Sequence, residues 1–195
     1  MTHRGKKKMC GTIDKKVESW HFIIVCMILF SLFVLILRIE GTGWCQGWPD
    51  IKIRLLPDDC FAVIEPDGGS KIRHCPHHDQ NGRLDEEQLI YVLGTLDQET
   101  WLDPKHKKVA QKHLKKHYDR FRTKIIKKGL QDLVDINRAQ LTELVALPQV
   151  GPSLAVKIVE YRNAHGMFIT IDMIKKVAGI GPGTFNAIRH YISTN

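Results

Sequence analysis

The spacing of apolar and polar residues changes character several times along the chain, and each change predicts a different element. Phe22 to Leu37 is an apolar run with one Ser and no charge, flanked by Trp20-His21 and Ile39, and it approaches the length that crosses a bilayer. Ile51-Lys52-Ile53-Arg54-Leu55 alternates as a strand does. Cys60 to Glu65 and Ser70 to Cys75, separated by Pro66-Asp67-Gly68-Gly69, predict a β-hairpin. Asp85-Glu86-Glu87-Gln88 opens a helix in the manner of a capping box, with Leu89, Val92, Leu93 and Leu96 as its stripe. Asp103-Pro104 starts a second helix that runs to about Lys128, with Ala110, Leu114, Tyr118, Phe121 and Ile125 on one face. Gly129 ends it.

Beyond residue 133 the apolar residues fall three and four apart around a loop that occurs twice. Leu147-Pro148-Gln149-Val150-Gly151-Pro152 is echoed by Val177-Ala178-Gly179-Ile180-Gly181-Pro182. Leu141, Leu144 and Val145 precede the first copy, and Ala155, Ile158 and Val159 follow it. Ile171 and Ile174 precede the second; Phe185, Ile188 and Ile192 follow. Gly allows a tight turn and the Pro after it suits the first position of a new helix, so each copy predicts a helix-to-helix hairpin. Amides at such helix starts form a seat for an anion such as phosphate.

Asp135-Ile136-Asn137-Arg138-Ala139, Leu144, Leu147-Pro148, Gly151, Ala155, Ile158, Tyr161-Arg162, Gly166, Phe168 and Gly179-Ile180-Gly181 resemble the paired helix-hairpin-helix domain of ComEA-like proteins. The resemblance covers about residues 133–195. It implies sequence-independent binding of double-stranded DNA at the outer face of a bacterial cytoplasmic (inner) membrane, as in DNA capture during competence. The residues it points to are Val150, Gly151, Ser153 and Leu154 in the first hairpin and Gly179, Ile180, Gly181, Gly183 and Thr184 in the second. Lys157, Lys175 and Lys176 supply charge, with Arg162 and Arg189 as further candidates. Gln149 stands where the family prefers Gly, which predicts either strain of about 1 kcal/mol or a different turn. Ser153 and Gly183 stand where many DNA-binding relatives carry a base. The second hairpin is therefore expected to dominate.

The architecture expected is an N-terminal transmembrane helix, a small α+β region and a C-terminal all-α paired helix-hairpin-helix domain. Its parts are a basic cytoplasmic tail (1–20), a single-pass anchor (21–39), the α+β region (44–102), a basic amphipathic helix (103–130) and the tandem hairpins (133–195). A signal peptide has a shorter apolar core and a small-x-small cleavage site, and none is visible after Leu37. The bases Arg4, Lys6, Lys7, Lys8, Lys15 and Lys16 keep the N-terminus inside and export the rest to a periplasmic or outer location. Trp44 and Trp48 suit the headgroup level.

The net charge is +8, and residues 105–128 alone hold eleven Lys or Arg against Asp119. That helix could extend a phosphate-binding surface, lie near anionic lipid, or present a solvated face. If Pro66 to Gly69 form a four-residue loop, Cys60 falls opposite Cys75, and export favours a disulfide between them; a three-residue loop would spoil the match. Cys45 is left over.

His74, Cys75, His77 and His78 have metal-ligand chemistry, but neighbours in so short a run rarely all reach one ion. His113 and His117 lie one helical turn apart among lysines that repel a cation. No metal or cofactor is expected. Asp79, Asn81, Gly82, Leu84 and Asp85 faintly follow a calcium loop whose first and last ligands are missing, and a turn before the helix is the simpler reading. No nucleophile or phosphate-cradling lysine loop suggests catalysis. A non-enzymatic DNA receptor is thus expected, with an adaptor binding envelope or secretion proteins through the hairpins as the alternative.

Overall fold

The computed structural model describes residues 47–195 apart from Gln131. The expected tail, the anchor 21–39, Trp44 and Cys45 lie outside the described residues. No helix among the described residues is long and apolar enough to cross a membrane.

Helix α1 spans Asp50–Arg54, followed by a 3-10 turn at Asp58–Cys60. Strands β1 (Phe61–Asp67) and β2 (Ser70–Pro76) pair antiparallel. Helix α2 covers Glu86–Thr95 and α3 Pro104–Lys128. The C-terminal unit holds β3 (Val134–Asp135), α4 (Leu141–Leu144), α5 (Pro152–His165), a 3-10 stretch at Ile171–Lys176, α6 (Pro182–Ile188) and β4 (Ile192–Ser193). β3 and β4 pair in parallel, Val134 with Ile192 and Asp135 with Ser193, and so join the two ends of that unit.

Two local expectations fail. The alternating segment 51–55 is helical: Pro49 and Asp50 start a single turn, and Ile51 and Leu55 are exposed rather than forming a buried face. Five residues are too few for periodicity to separate strand from helix. In the β-hairpin the loop is Gly68-Gly69, because Asp67 already pairs with Ser70. Both glycines have positive φ, +51° and +97°, which suits a two-residue hairpin turn. The longer strands absorb Pro66, tolerable in a sheet whose two strands are both edges.

That register overturns the disulfide. Val63 pairs with His74 and Phe61 with Pro76, so Cys75 lies level with Ala62 and Cys60 falls beyond the ladder. Both thiols are free and buried. Cys60 Sγ donates to the Asp79 carbonyl at 3.1 Å. Burial pushes the Cys75 thiol up to about 12.

The core is nearly continuous. Ile136, Leu141, Leu144, Leu147, Ile158, Phe168, Ile174 and Ile188 are fully buried in the C-terminal unit, and Ile90 of α2 and Phe121 of α3 join them. Leu89, Val92 and Leu96 of α2 pack with Ala110 and Leu114 of α3 and with Cys75. Trp48 leans on the cluster of Leu56, Cys60 and Phe61, with Lys52 Nζ 3.5 Å above its ring. At Gly94 a Cβ would meet Val156 Cγ2 at 2.5 Å and the Pro152 carbonyl oxygen at 2.8 Å, so glycine permits the close approach of α2 to α5.

The β-hairpin is fastened to the start of α3 by a buried carboxylate. Glu65 accepts the Leu102 and Asp103 amides, each at 2.9 Å, His106 Nδ1 at 2.7 Å and His74 Nε2 at 2.9 Å. Burial alone would raise its pKa, but the amide bonds from Asp103 and Leu102, then His106 and His74, outweigh it and hold the carboxyl down at about 2.

Candidate nucleic-acid interface

Each copy of the repeated loop ends one short apolar helix and begins another. After α4 the chain turns through Gln149 and enters α5 with Gly151 at its N-cap and Pro152 at its first position. After the 3-10 stretch it turns through Gly179 and enters α6 with Gly181 and Pro182 in the same places. Gln149 has φ +62° and its counterpart Gly179 has φ +103°. The first loop therefore keeps the hairpin turn and bears the strain that a non-glycine residue incurs there.

The hydrogen bonds divide the sequence-predicted residues in two. Val150 N–H donates to the Leu147 carbonyl at 3.3 Å and Ile180 N–H to the Val177 carbonyl at 3.0 Å. Both side chains are buried, so these two residues build the turns rather than offering donors. Helical bonding begins only at Ala155 N–H to Gly151 O and Phe185 N–H to Gly181 O, each 2.9 Å. Among the described residues nothing accepts from the amides of Gly151, Ser153 and Leu154, or from those of Gly181, Gly183 and Thr184. These are the orphan donors of two helix starts. Ser153, Gly181 and Gly183 are exposed.

The two hairpins touch. Leu154 of α5 places Cδ1 3.3 Å from where a Cβ on Gly179 would lie. A Cβ on Gly151, Gly181 or Gly183 would instead meet nothing within 4 Å. With φ of −102° and −85°, Gly151 and Gly181 adopt backbone that other residues also adopt. The fold itself does not demand glycine at either N-cap.

Cations surround the pair unevenly. Lys157 and Lys176 are exposed. Lys175 pairs with Asp172 at 2.6 Å and lies 4.7 Å from the Phe185 ring. Arg189 is exposed beside His190. Arg162 is buried and donates to the Ile136 carbonyl at 3.0 Å, so it serves the interior. Asn137 also works inward: its side chain accepts Phe168 N–H at 2.7 Å and donates to the Phe168 carbonyl at 3.1 Å.

The family described as Helix-hairpin-helix motif matches residues 130–193. Over 65 residues the chain is 48% identical to ComE operon protein 1 of Bacillus subtilis (strain 168), covering 33% of this chain and 32% of that one. Residues 130–193 are a ComEA-like helix-hairpin-helix domain. The chain is also 34% identical over 59 residues to Endonuclease/exonuclease/phosphatase family domain-containing protein 1 of Rattus norvegicus, over 30% of this chain and 10% of that one. It thus spans about a third of the first relative and a tenth of the second. No solved structure matches it.

The basic helix α3 is bound to the first hairpin of the helix-hairpin-helix domain. Arg122 Nη1 donates to the Val145 carbonyl at 2.8 Å, to the Val150 carbonyl at 3.4 Å and to Tyr118 Oη at 3.0 Å. One cation counted toward the basic helix therefore braces the first hairpin from within. Sequence spacing missed this contact because it joins residues more than twenty apart.

Outside the domain the structure regroups the histidines. His74 turns away, to Glu65 and to Glu99 Oε2 at 3.0 Å, and stacks on Trp101. His77 and His78 turn toward α3 and meet His113 and His117. Each half is visible in the sequence; that they form one cluster depends on how the segment after β2 packs against α3. Asp79 Oδ1 accepts the Asn81 and Arg83 amides at 2.8 and 2.9 Å, so it closes a turn rather than facing a cation.

Proposed function

We propose that residues 133–195 bind double-stranded DNA through its backbone, without sequence preference, while the segment 21–39 anchors the chain in a bacterial cytoplasmic membrane with its C-terminal region outside. The observation that carries this reading is the pair of adjoining helix starts, each with three unclaimed amides beside a glycine whose open side meets no protein atom. A phosphate needs such an approach, and the fold does not explain the glycines otherwise. The second hairpin is the stronger seat because its turn is unstrained and Lys175 and Lys176 immediately precede it. Lys157, one turn beyond Ser153, serves the first. The ComEA-like resemblance supports a role in DNA capture for uptake.

Gel-shift titration of residues 43–195, one compact unit, with duplexes of unrelated sequence tests the reading. Affinity should be similar for every duplex and fall steeply as salt rises. Gly181→Val should weaken binding more than Gly151→Val, with circular dichroism unchanged for both. Failure to bind at low salt overturns the proposal and leaves the hairpins as a protein-docking adaptor. Equal losses would contradict the dominance of the second hairpin.

A further inference from the structure

We propose that His77, His78, His113 and His117 form a binding site for one divalent transition-metal ion of the zinc, nickel and copper class, joining the segment after β2 to the middle of α3. One ring nitrogen from each of His77, His78 and His117 lies within 4.8 Å of the other two. His113 Nε2 lies 3.0 Å from His77 Nε2. Two nitrogens on one tetrahedral zinc ion are about 3.4 Å apart, given bonds of about 2.0–2.1 Å. Small rotations of His78 and His117 bring the set to that spacing. The ring centroids already lie 4.2 to 5.4 Å apart across the cluster.

The cluster has further marks of a metal site. His77 is fully buried, and its Nδ1 lies 2.9 Å from the Cys75 carbonyl. With Nδ1–H donating there, the Nε2 lone pair faces the other rings, the orientation that ligating histidines usually receive from a backbone carbonyl. His113 and His117 are one turn apart on α3, and a turn closed by Asp79 directly follows His77 and His78.

The donor set also selects the ion. It contains only imidazole, and Asp79, the carboxylate next in sequence, is taken up by the Asn81 and Arg83 amides. Calcium and magnesium require oxygen ligands, which are missing from this set, whereas imidazole suits zinc, copper and nickel. Such an ion would fasten the segment that follows β2 to the middle of α3.

Titration of the full chain, stripped with EDTA, with ZnCl2 against a chromogenic chelator tests this. The wild type should hold one ion that the double variant His78→Gln/His117→Gln does not, and ZnCl2 should raise the Tm of the wild type alone. His113→Gln, at an exposed position, should lower affinity by about tenfold or more without unfolding the chain. His165→Gln and His190→Gln should change nothing. Absence of saturable zinc binding, or binding undiminished in both the double variant and His113→Gln, overturns the proposal.

Discussion

Glu87 on α2 caps α4, the first helix of the hairpin domain: its Oε2 accepts Leu141 N–H at 3.0 Å, and Oε1 accepts Thr142 N–H at 2.9 Å. The Thr142 hydroxyl donates to the same Oε1. Two orphan amides of a four-residue helix are thus satisfied by a residue more than fifty positions earlier. α4 carries its own Gln140–Glu143 capping box, so Glu87 adds charge at the positive end of the helix. Glu87→Ala should destabilise residues 43–195 by about 1–2 kcal/mol in urea denaturation. Loss of α4 with α2 left intact would show that the two regions fold independently.

The turn at Gln149 holds removable strain. Gln149→Gly should raise stability by about 1 kcal/mol, read as a higher urea midpoint at unchanged slope. Gly179→Gln should cost more than that gain, because φ is +103° and Leu154 lies against the position a Cβ would take. If Gln149→Gly were neutral or destabilising, the strained reading of the first loop would be wrong.

Acid should loosen the β-hairpin from α3. The Glu65 carboxyl is held at about 2 against an ordinary 4.5, so the folded state binds its proton less readily than the unfolded chain does. Its contribution is therefore complete above about pH 4.5 and is lost as pH falls from there toward 2. Tm measured across that window should drop for the wild type. Glu65→Gln should melt lower at neutral pH and lose its share of the acid dependence. A wild type and variant with parallel profiles would contradict this assignment.

The missing bases can be supplied. Ser153 and Gly183 are exposed at the starts of α5 and α6, and a side chain at Gly183 meets nothing in the fold. Ser153→Lys and Gly183→Lys should each tighten DNA binding and steepen the salt dependence by about one further phosphate contact. Unchanged affinity and slope in both variants would show that DNA does not approach these helix starts.

Much of the hairpin domain could be read directly from the sequence. Its turns are local, and a Gly-Pro pair between apolar stripes, at Gly151-Pro152 and Gly181-Pro182, leaves few alternatives. The same holds for the α2 start, where Asp85 Oδ1 accepts Gln88 N–H at 2.9 Å, and for α3, begun by Asp103-Pro104 and closed at Gly129. What could not be read depended on distant contacts or on register. A loop of two residues rather than four shifts every cross-strand pair, and that choice alone separates Cys60 from Cys75. The roles of Arg122, Arg162 and Glu65 depend on carbonyls and amides that adjoin only after packing. In the sequence His77-His78 and His113 with His117 are two separate pairs, and only the packing against α3 makes them one cluster.

Helix α3 is gripped at three heights: near its start through His106 and Glu65, midway where His113 and His117 meet His77, and near its end through Arg122. At 25 residues it is about 37 Å long, and an isolated helix of that length would open to solvent from both ends. Here the forward end is pinned. Backbone protons from Ala110 to Phe121 should exchange with deuterium only when the whole unit opens, while those from Thr123 to Lys128 exchange by fraying. The lysine-rich helix thus ties the β-hairpin at its start to the first hairpin of the C-terminal unit near its end.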